Sequence, residues 1–132
     1  MRVLVPMDRS ERSARALEHA VDMAAERGGT VDVVHYTETA GDDPDVIRER
    51  VRETCADADV ECGDVEVVTD VRIGHVRSSN RVGRNVVELV DGRGYDHVVM
   101  SHHGTGRVGR ALLGSAAETV VRNAPVAVTV VP

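Results

Sequence analysis

Five short valine-rich runs recur along the chain, each separated from the next by a longer stretch that carries apolar residues at helical spacing. This alternation constrains the fold most, because strands buried on both faces need helices on both sides and crossovers to join them. The first run is Val3-Leu4-Val5, closed by Pro6. Ser10 then caps a helix with Ala14, Leu17, Ala20, Val21, Ala24 and Ala25 on one face, ended by Gly28-Gly29. Val31 to Tyr36 is a second strand, after which Asp42-Asp43-Pro44 opens a helix carrying Ile47, Val51, Cys55 and Ala58. Gly63-Asp64 leads into a third strand from Val65 to Val71. The polar stretch from Arg72 to Arg84 reads as a long loop before a short helix with Val86, Val87, Leu89 and Val90, ended near Gly92 and Gly94. His97 to Met100 is the fourth strand. Ser115 to Asn123 is the fourth helix, with Ala117, Val120 and Val121 turned inward, and Val126 to Val131 follows Ala124-Pro125 as the last strand. The expected architecture is a single α/β domain over residues 1–132, a three-layer sandwich with a five-stranded parallel sheet, right-handed crossovers and four helices. Ligands of such sheets bind at the carboxyl ends of the strands, where the strand order reverses.

Composition removes several classes of function. The formal net charge of −6 argues against a general nucleic-acid or acidic-membrane surface, and with no Phe or Trp there is no aromatic platform for single-stranded nucleic acid. All 16 basic residues are arginine. The absence of Lys excludes a P-loop lysine, a protein-kinase strand lysine and Schiff-base chemistry together. Together with abundant Asp, it fits either a high-salt cytoplasm or a GC-rich coding bias. Cys55 and Cys62 are too few for a zinc site or a secreted disulfide framework, so reduced thiols are expected. The N-terminus lacks a run of signal-peptide length and no segment is long enough to span a bilayer, which leads to a soluble, cytoplasmic expectation.

The segment from Ser101 to Ser115 carries the chemistry. Gly104, Gly106, Gly109 and Gly114 allow positive φ and close approach to a ligand, while Arg107 and Arg110 add positive charge. Gly114-Ser115 stands where a helix begins, with free N–H groups and the positive end of its dipole. The combination is an anion cradle that suits phosphate. Gly104 to Gly109 is formally a GxGxxG, but it follows the fourth strand instead of the first, and beyond Glu118 no acidic residue remains to bind a ribose. The frame from Gly109 to Ser115 mimics a P-loop without its lysine.

Of the histidines, His19, His35 and His97 read as packed or surface residues, and His75 belongs to the polar loop. His102 and His103 stand beside the glycine-rich segment, where they can meet a phosphate; two adjacent side chains do not make a metal site. Arg72, Arg77, Arg81 and Arg84 read as a solvated basic loop. Asp8, at the turn after the first strand, is either a turn or capping residue or a partner for a base, a sugar hydroxyl or a metal shared with phosphates. No catalytic constellation is legible, because any Ser, His and Asp can be paired on paper and only geometry decides.

These residues resemble the universal stress proteins. Pro6-Met-Asp8-Arg-Ser10 matches that family's opening Pro-x-Asp-x-Ser, and His35 matches a His at the end of the second strand. Gly104 and Gly114-Ser115 stand at the spacing of the nucleotide-binding branch, Gly-x-x-Gly followed by nine residues and Gly-Ser or Gly-Thr. Ser101 takes the place of the first glycine. The resemblance covers essentially the whole chain. It implies a parallel sheet of order 3-2-1-4-5 like that of the adenine-nucleotide alpha-hydrolases, a homodimer paired through the last strand, and ATP bound with Mg²⁺ or Mn²⁺ in the edge cleft. By position, it implies that Pro6, Met7 and Asp8 meet the adenosine and that Tyr36 lines the base pocket. Met100, Ser101, His103, Gly104, Gly114, Ser115 and Ala116 would surround ribose and phosphates. The expected function is a cytoplasmic ATP-binding regulator acting through its nucleotide state or dimer. The alternatives are a nucleotide-free dimeric interaction module, which Ser101 favours, and a slow hydrolase or transferase on adenosine phosphates.

Overall fold

The computed structural model describes residues 1–37, 43–69, 78–102 and 115–132. The elements run β1 (Arg2–Met7), α1 (Glu11–Arg27), β2 (Thr30–Thr37), α2 (Pro44–Asp57), β3 (Glu61–Cys62), β4 (Glu66–Thr69), α3 (Ser78–Arg93), β5 (His97–Ser101), α4 (Ser115–Asn123) and β6 (Ala127–Val131). Every pairing is parallel, in the order β3-β2-β1-β5-β6, with β4 also pairing β2. The order is the expected one, with a sixth strand.

That extra strand is a break in the edge. β3 pairs at Thr30↔Glu61 and Val31↔Cys62, whereas β4 pairs at Val34↔Glu66 through Thr37↔Thr69. Three residues on the edge, 63–65, therefore face two on β2, a bulge-like insertion. Gly63 stands in the break, where a Cβ would collide with the carboxylate of Asp32 on β2. The expected run from Val65 to Val71 thus appears as a four-residue strand preceded by a two-residue one; its last two residues, like the loop from Arg72 to Arg77, lie outside the described residues.

Alternation along the strands sorts the core into two layers. Val3, Val5, Met7, Val31, Val33 and Val99 meet α1 and α2, through Leu17, Ala20, Val21, Ile47, Val51 and Cys55 among others. Leu4, Val34, Val98 and Met100 meet Val86 and Val90 of α3 and Ala117 and Val120 of α4. α1 has the caps its sequence promises: the Ser10 side chain accepts from Ser13 N, and Gly28 closes the helix at φ 67°. α2 starts on Asp43, whose side chain accepts from Asp45 N, with Pro44 in its first turn.

Five expectations are corrected. The first strand does not close at Pro6 but runs on to Met7, with Pro6 opposite Val34. Its pairing with β5 covers Val3 and Leu4, so at Pro6 the strand is paired to β2 and a residue without an N–H fits. The third helix begins at Ser78, not near Val86. Gly83 inside it is a packing residue: a Cβ would stand 2.7 Å from Thr119 Cβ and 3.0 Å from the Ala116 carbonyl oxygen of α4. Val121 is 45 % exposed, because the buried face of the short α4 is set by Ala117 and Val120. Ala25 is exposed beside buried Ala24 on α1. Cys55 and Cys62 are joined in a disulfide rather than reduced. Cys55 on the buried face of α2 and Cys62 on β3 have Cα atoms 6.2 Å apart, within reach of a bridge that no residue count reveals.

At the amino edge of the sheet, Arg2 N donates to Asp96 Oδ2 at 2.8 Å and the Arg2 guanidinium lies 4.6 Å from the Tyr95 ring centroid. The Tyr95 hydroxyl donates to Asp32 Oδ2 at 2.7 Å. This end is tied together by polar contacts. No helix among the described residues is long and apolar enough to cross a membrane.

Candidate functional site

The strand order reverses between β1 and β5, the two strands whose pairing lapses after Leu4↔Val98. From β1 the chain crosses to β2 on one side; from β5 it crosses to β6 on the other. The carboxyl ends of β1, β2 and β5 therefore border a parting of the kind that holds ligands in open α/β sheets. Pro6, Met7 and Asp8 come to it from β1, Tyr36 from β2, and Met100 and Ser101 from β5.

Asp8 is held by its own turn. Its Oδ1 accepts from Ser10 N at 2.8 Å and lies 3.0 Å from the Ser13 hydroxyl oxygen, the geometry of a turn that leads into α1. Behind it, His35 is 1 % exposed, and its Nδ1 lies 3.1 Å from the Met7 carbonyl oxygen. A carbonyl only accepts, so Nδ1 carries the hydrogen and the ring ties the ends of β1 and β2 together. The packed reading of His35 holds, and its contact steadies the backbone next to Asp8.

Tyr36 faces the α3 side. It packs against the core layer of α3 and α4, and its hydroxyl donates to Asn85 Oδ1 at 2.5 Å. Burial first, then the carboxylates of Glu66 and Glu88, push its phenol above the ordinary tyrosine range, so it stays a hydrogen-bond donor across neutral and moderately alkaline pH. Met100 and Ser101 are 4 % and 5 % exposed at the end of β5, with Ser101 opposite Val131 of β6. His102 follows, half-buried. Ser115 opens α4, and half-buried Ala116 packs against the same layer as Met100. His103, Gly104 and Gly114, with the remainder of the glycine-rich segment, lie outside the described residues. Among the described residues no group of three or more His, Cys, Asp or Glu is arranged to hold a metal ion.

Two participants escape a reading of the sequence. Asn85 has no local signal, because its partner lies 49 residues away. Ser13 does have one: it is a polar residue on the buried stripe of α1, beside Ala14, Ala16 and Leu17.

A family model of the universal stress proteins matches residues 1–132. No match is found among curated proteins. Among solved structures, a universal stress protein from Archaeoglobus fulgidus is similar with a TM-score of 0.75 at 21% identity, over 100% of this chain and 98% of that one. A universal stress protein in complex with cAMP is similar with a TM-score of 0.74 at 22% identity, over 99% and 95% of the two chains. The Archaeoglobus fulgidus protein in complex with dAMP gives 0.68 at 21% identity, over 100% and 98%. These likenesses establish a shared fold. With the parallel sheet, the parting at β1 and β5, and a family match that runs from the first residue to the last, the chain belongs to the universal stress protein family.

Proposed function

We propose that this chain binds an adenine nucleotide, ATP with Mg²⁺ or Mn²⁺, at the carboxyl ends of β1, β2 and β5, and acts as a cytoplasmic regulatory dimer in a stress response. The observation that carries the reading is the parting of β1 from β5 beyond Leu4, with Asp8 following one strand and Ser101 closing the other. Two similar structures of the family hold adenine nucleotides, cAMP in one and dAMP in the other. In this reading Pro6, Met7 and Asp8 meet the adenosine, Tyr36 borders the base, and Met100, Ser101, His103, Gly104, Gly114, Ser115 and Ala116 surround ribose and phosphates. The start of α4 at Ser115 supports the phosphate part, since its first N–H groups lack partners within the helix. The cation is one that phosphate oxygens and water can ligate.

The dimer is proposed through β6, the last strand in the sheet order, whose Val128, Val130 and Val131 are half-buried within one chain. A second reading, a dimer that works without nucleotide, draws on Ser101, whose side chain stands where the nucleotide-binding pattern has glycine.

Calorimetric titration of ATP and magnesium into wild type and Gly114→Glu, with both checked for folding by circular dichroism, tests the proposal. Saturable binding by wild type and its loss in Gly114→Glu are expected. No heat from wild type overturns nucleotide binding, and a stable dimer in that case supports the second reading. Release of product at enzyme-like rates would instead favour a hydrolase or transferase.

A further inference from the structure

Ser13 is 1 % exposed on the apolar stripe of α1, where a hydroxyl must find an acceptor to be tolerated. Its Oγ lies 2.9 Å from the Asp8 carbonyl oxygen, 3.0 Å from Asp8 Oδ1 and 3.0 Å from the Ser10 carbonyl oxygen. One hydroxyl hydrogen serves one acceptor at a time, and the ionised carboxylate makes the strongest bond of the three. The Ser10 backbone N–H reaches the same Oδ1 at 2.8 Å. Two donors from the start of α1 thus converge on one carboxylate oxygen. The helix cap does not need them, because the Ser10 side chain already caps α1 by accepting from Ser13 N at 3.2 Å. Ser13 therefore does two separable things: its N–H takes the cap, and its hydroxyl holds Asp8.

We propose that Ser13 is a positioning residue, which fixes the Asp8 carboxylate toward the adenosine half of the nucleotide without touching the ligand itself. The inference rests on the nucleotide-binding reading above and adds to it where the recognition is preorganised. A carboxylate already fixed in the unliganded protein loses less freedom on binding than one that swivels, and the difference appears as affinity. The effect belongs to the adenosine, so it is the same for AMP and ATP, whatever the phosphates contribute.

The test is a double-mutant cycle of Ser13→Ala and Asp8→Ala, titrated with AMP and with ATP, each protein also followed by thermal melting. Ser13→Ala is expected to weaken AMP and ATP alike, by about tenfold, the scale of one hydrogen bond to a charged group. In the Asp8→Ala background, adding Ser13→Ala is expected to bring no further loss, because the residue it acts through is gone. That background keeps a satisfied hydroxyl, since the backbone carbonyls at positions 8 and 10 remain as acceptors. Ser13→Cys, with a weak donor of similar size, is expected to fall between wild type and Ser13→Ala and carries the cycle if the alanine variant does not fold. Unchanged affinity in Ser13→Ala, or an equal loss with and without Asp8, overturns the proposal while nucleotide binding stands. Wild type that binds neither AMP nor ATP removes the nucleotide reading, and the proposal with it.

Discussion

Two glycines of α3 show how differently one residue type acts within one helix. Nothing lies within 4 Å of a Cβ built on Gly92, so Gly92→Ala is expected to stabilise the protein by about 0.5–1 kcal/mol through reduced freedom of the unfolded chain. At Gly83 the added methyl meets Thr119 and the Ala116 carbonyl of α4, and Gly83→Ala is expected to destabilise by about 1–3 kcal/mol as the helices are pushed apart. Chemical denaturation of both variants checks the opposite signs. A boundary that the sequence concealed lies here too: Gly83 among Ser, Asn and Arg looks like loop punctuation, and its close packing against α4 is a tertiary contact with no local signal. The tyrosines give a second residue-scale prediction. The chain has two, and burial raises both phenols, with the Asp32 carboxylate adding to the effect at Tyr95. Ultraviolet titration of the folded protein is expected to show less phenolate at pH 10 than free tyrosine, which is about half ionised there.

At the scale of elements, the disulfide fastens the end of α2 to the edge strand β3 across a sequence separation of 7. A loop of that length implies a loss of roughly 2 kcal/mol on reduction, by the chain-entropy account. A melt with and without reductant should therefore show a lower midpoint in the reduced protein; equal midpoints would leave the bridge without a stabilising role. Much of the fold was legible in the elements. Strands β1, β2 and β5 carry buried apolar residues on both faces, and α1 has its cap, its stripe and its closing glycine. The edge was less legible, since its break, where Asp32 comes close to Gly63 from a neighbouring strand, has no local signal. The disulfide is hidden from the sequence for the same reason, as proximity between a helix and a strand is a product of the fold. In the site, Asp8 and His35 declared themselves by position, whereas Asn85 emerges only once α3 is laid beside β2.

For the whole molecule, protonation limits stability from two sides. Burial first, then the charges of Arg27 and His19, hold His97 below the ordinary histidine range. The unfolded chain then binds the proton more readily, so this contribution to stability is present above about pH 6.5 and is lost as the pH falls below it. The tyrosines act in the opposite sense: their raised values keep the folded state protonated, and stability is lost as the pH climbs beyond about 10. Melting temperature plotted against pH is expected to be flat between these limits and to fall outside them; His97→Gln should flatten the acid limb.

The two edges of the sheet are unequal. One is broken at Gly63 and covalently fastened to a helix, while the other, β6, is an unbroken run of Ala-Val-Thr-Val-Val. A sheet with two welcoming edges can polymerise without limit, but a sheet with one can join a copy of itself and then has nothing left to offer. On the pairing through β6 proposed above, growth by strand addition stops at a pair, and sedimentation at rising concentration is then expected to reach a plateau at twice the mass of one chain.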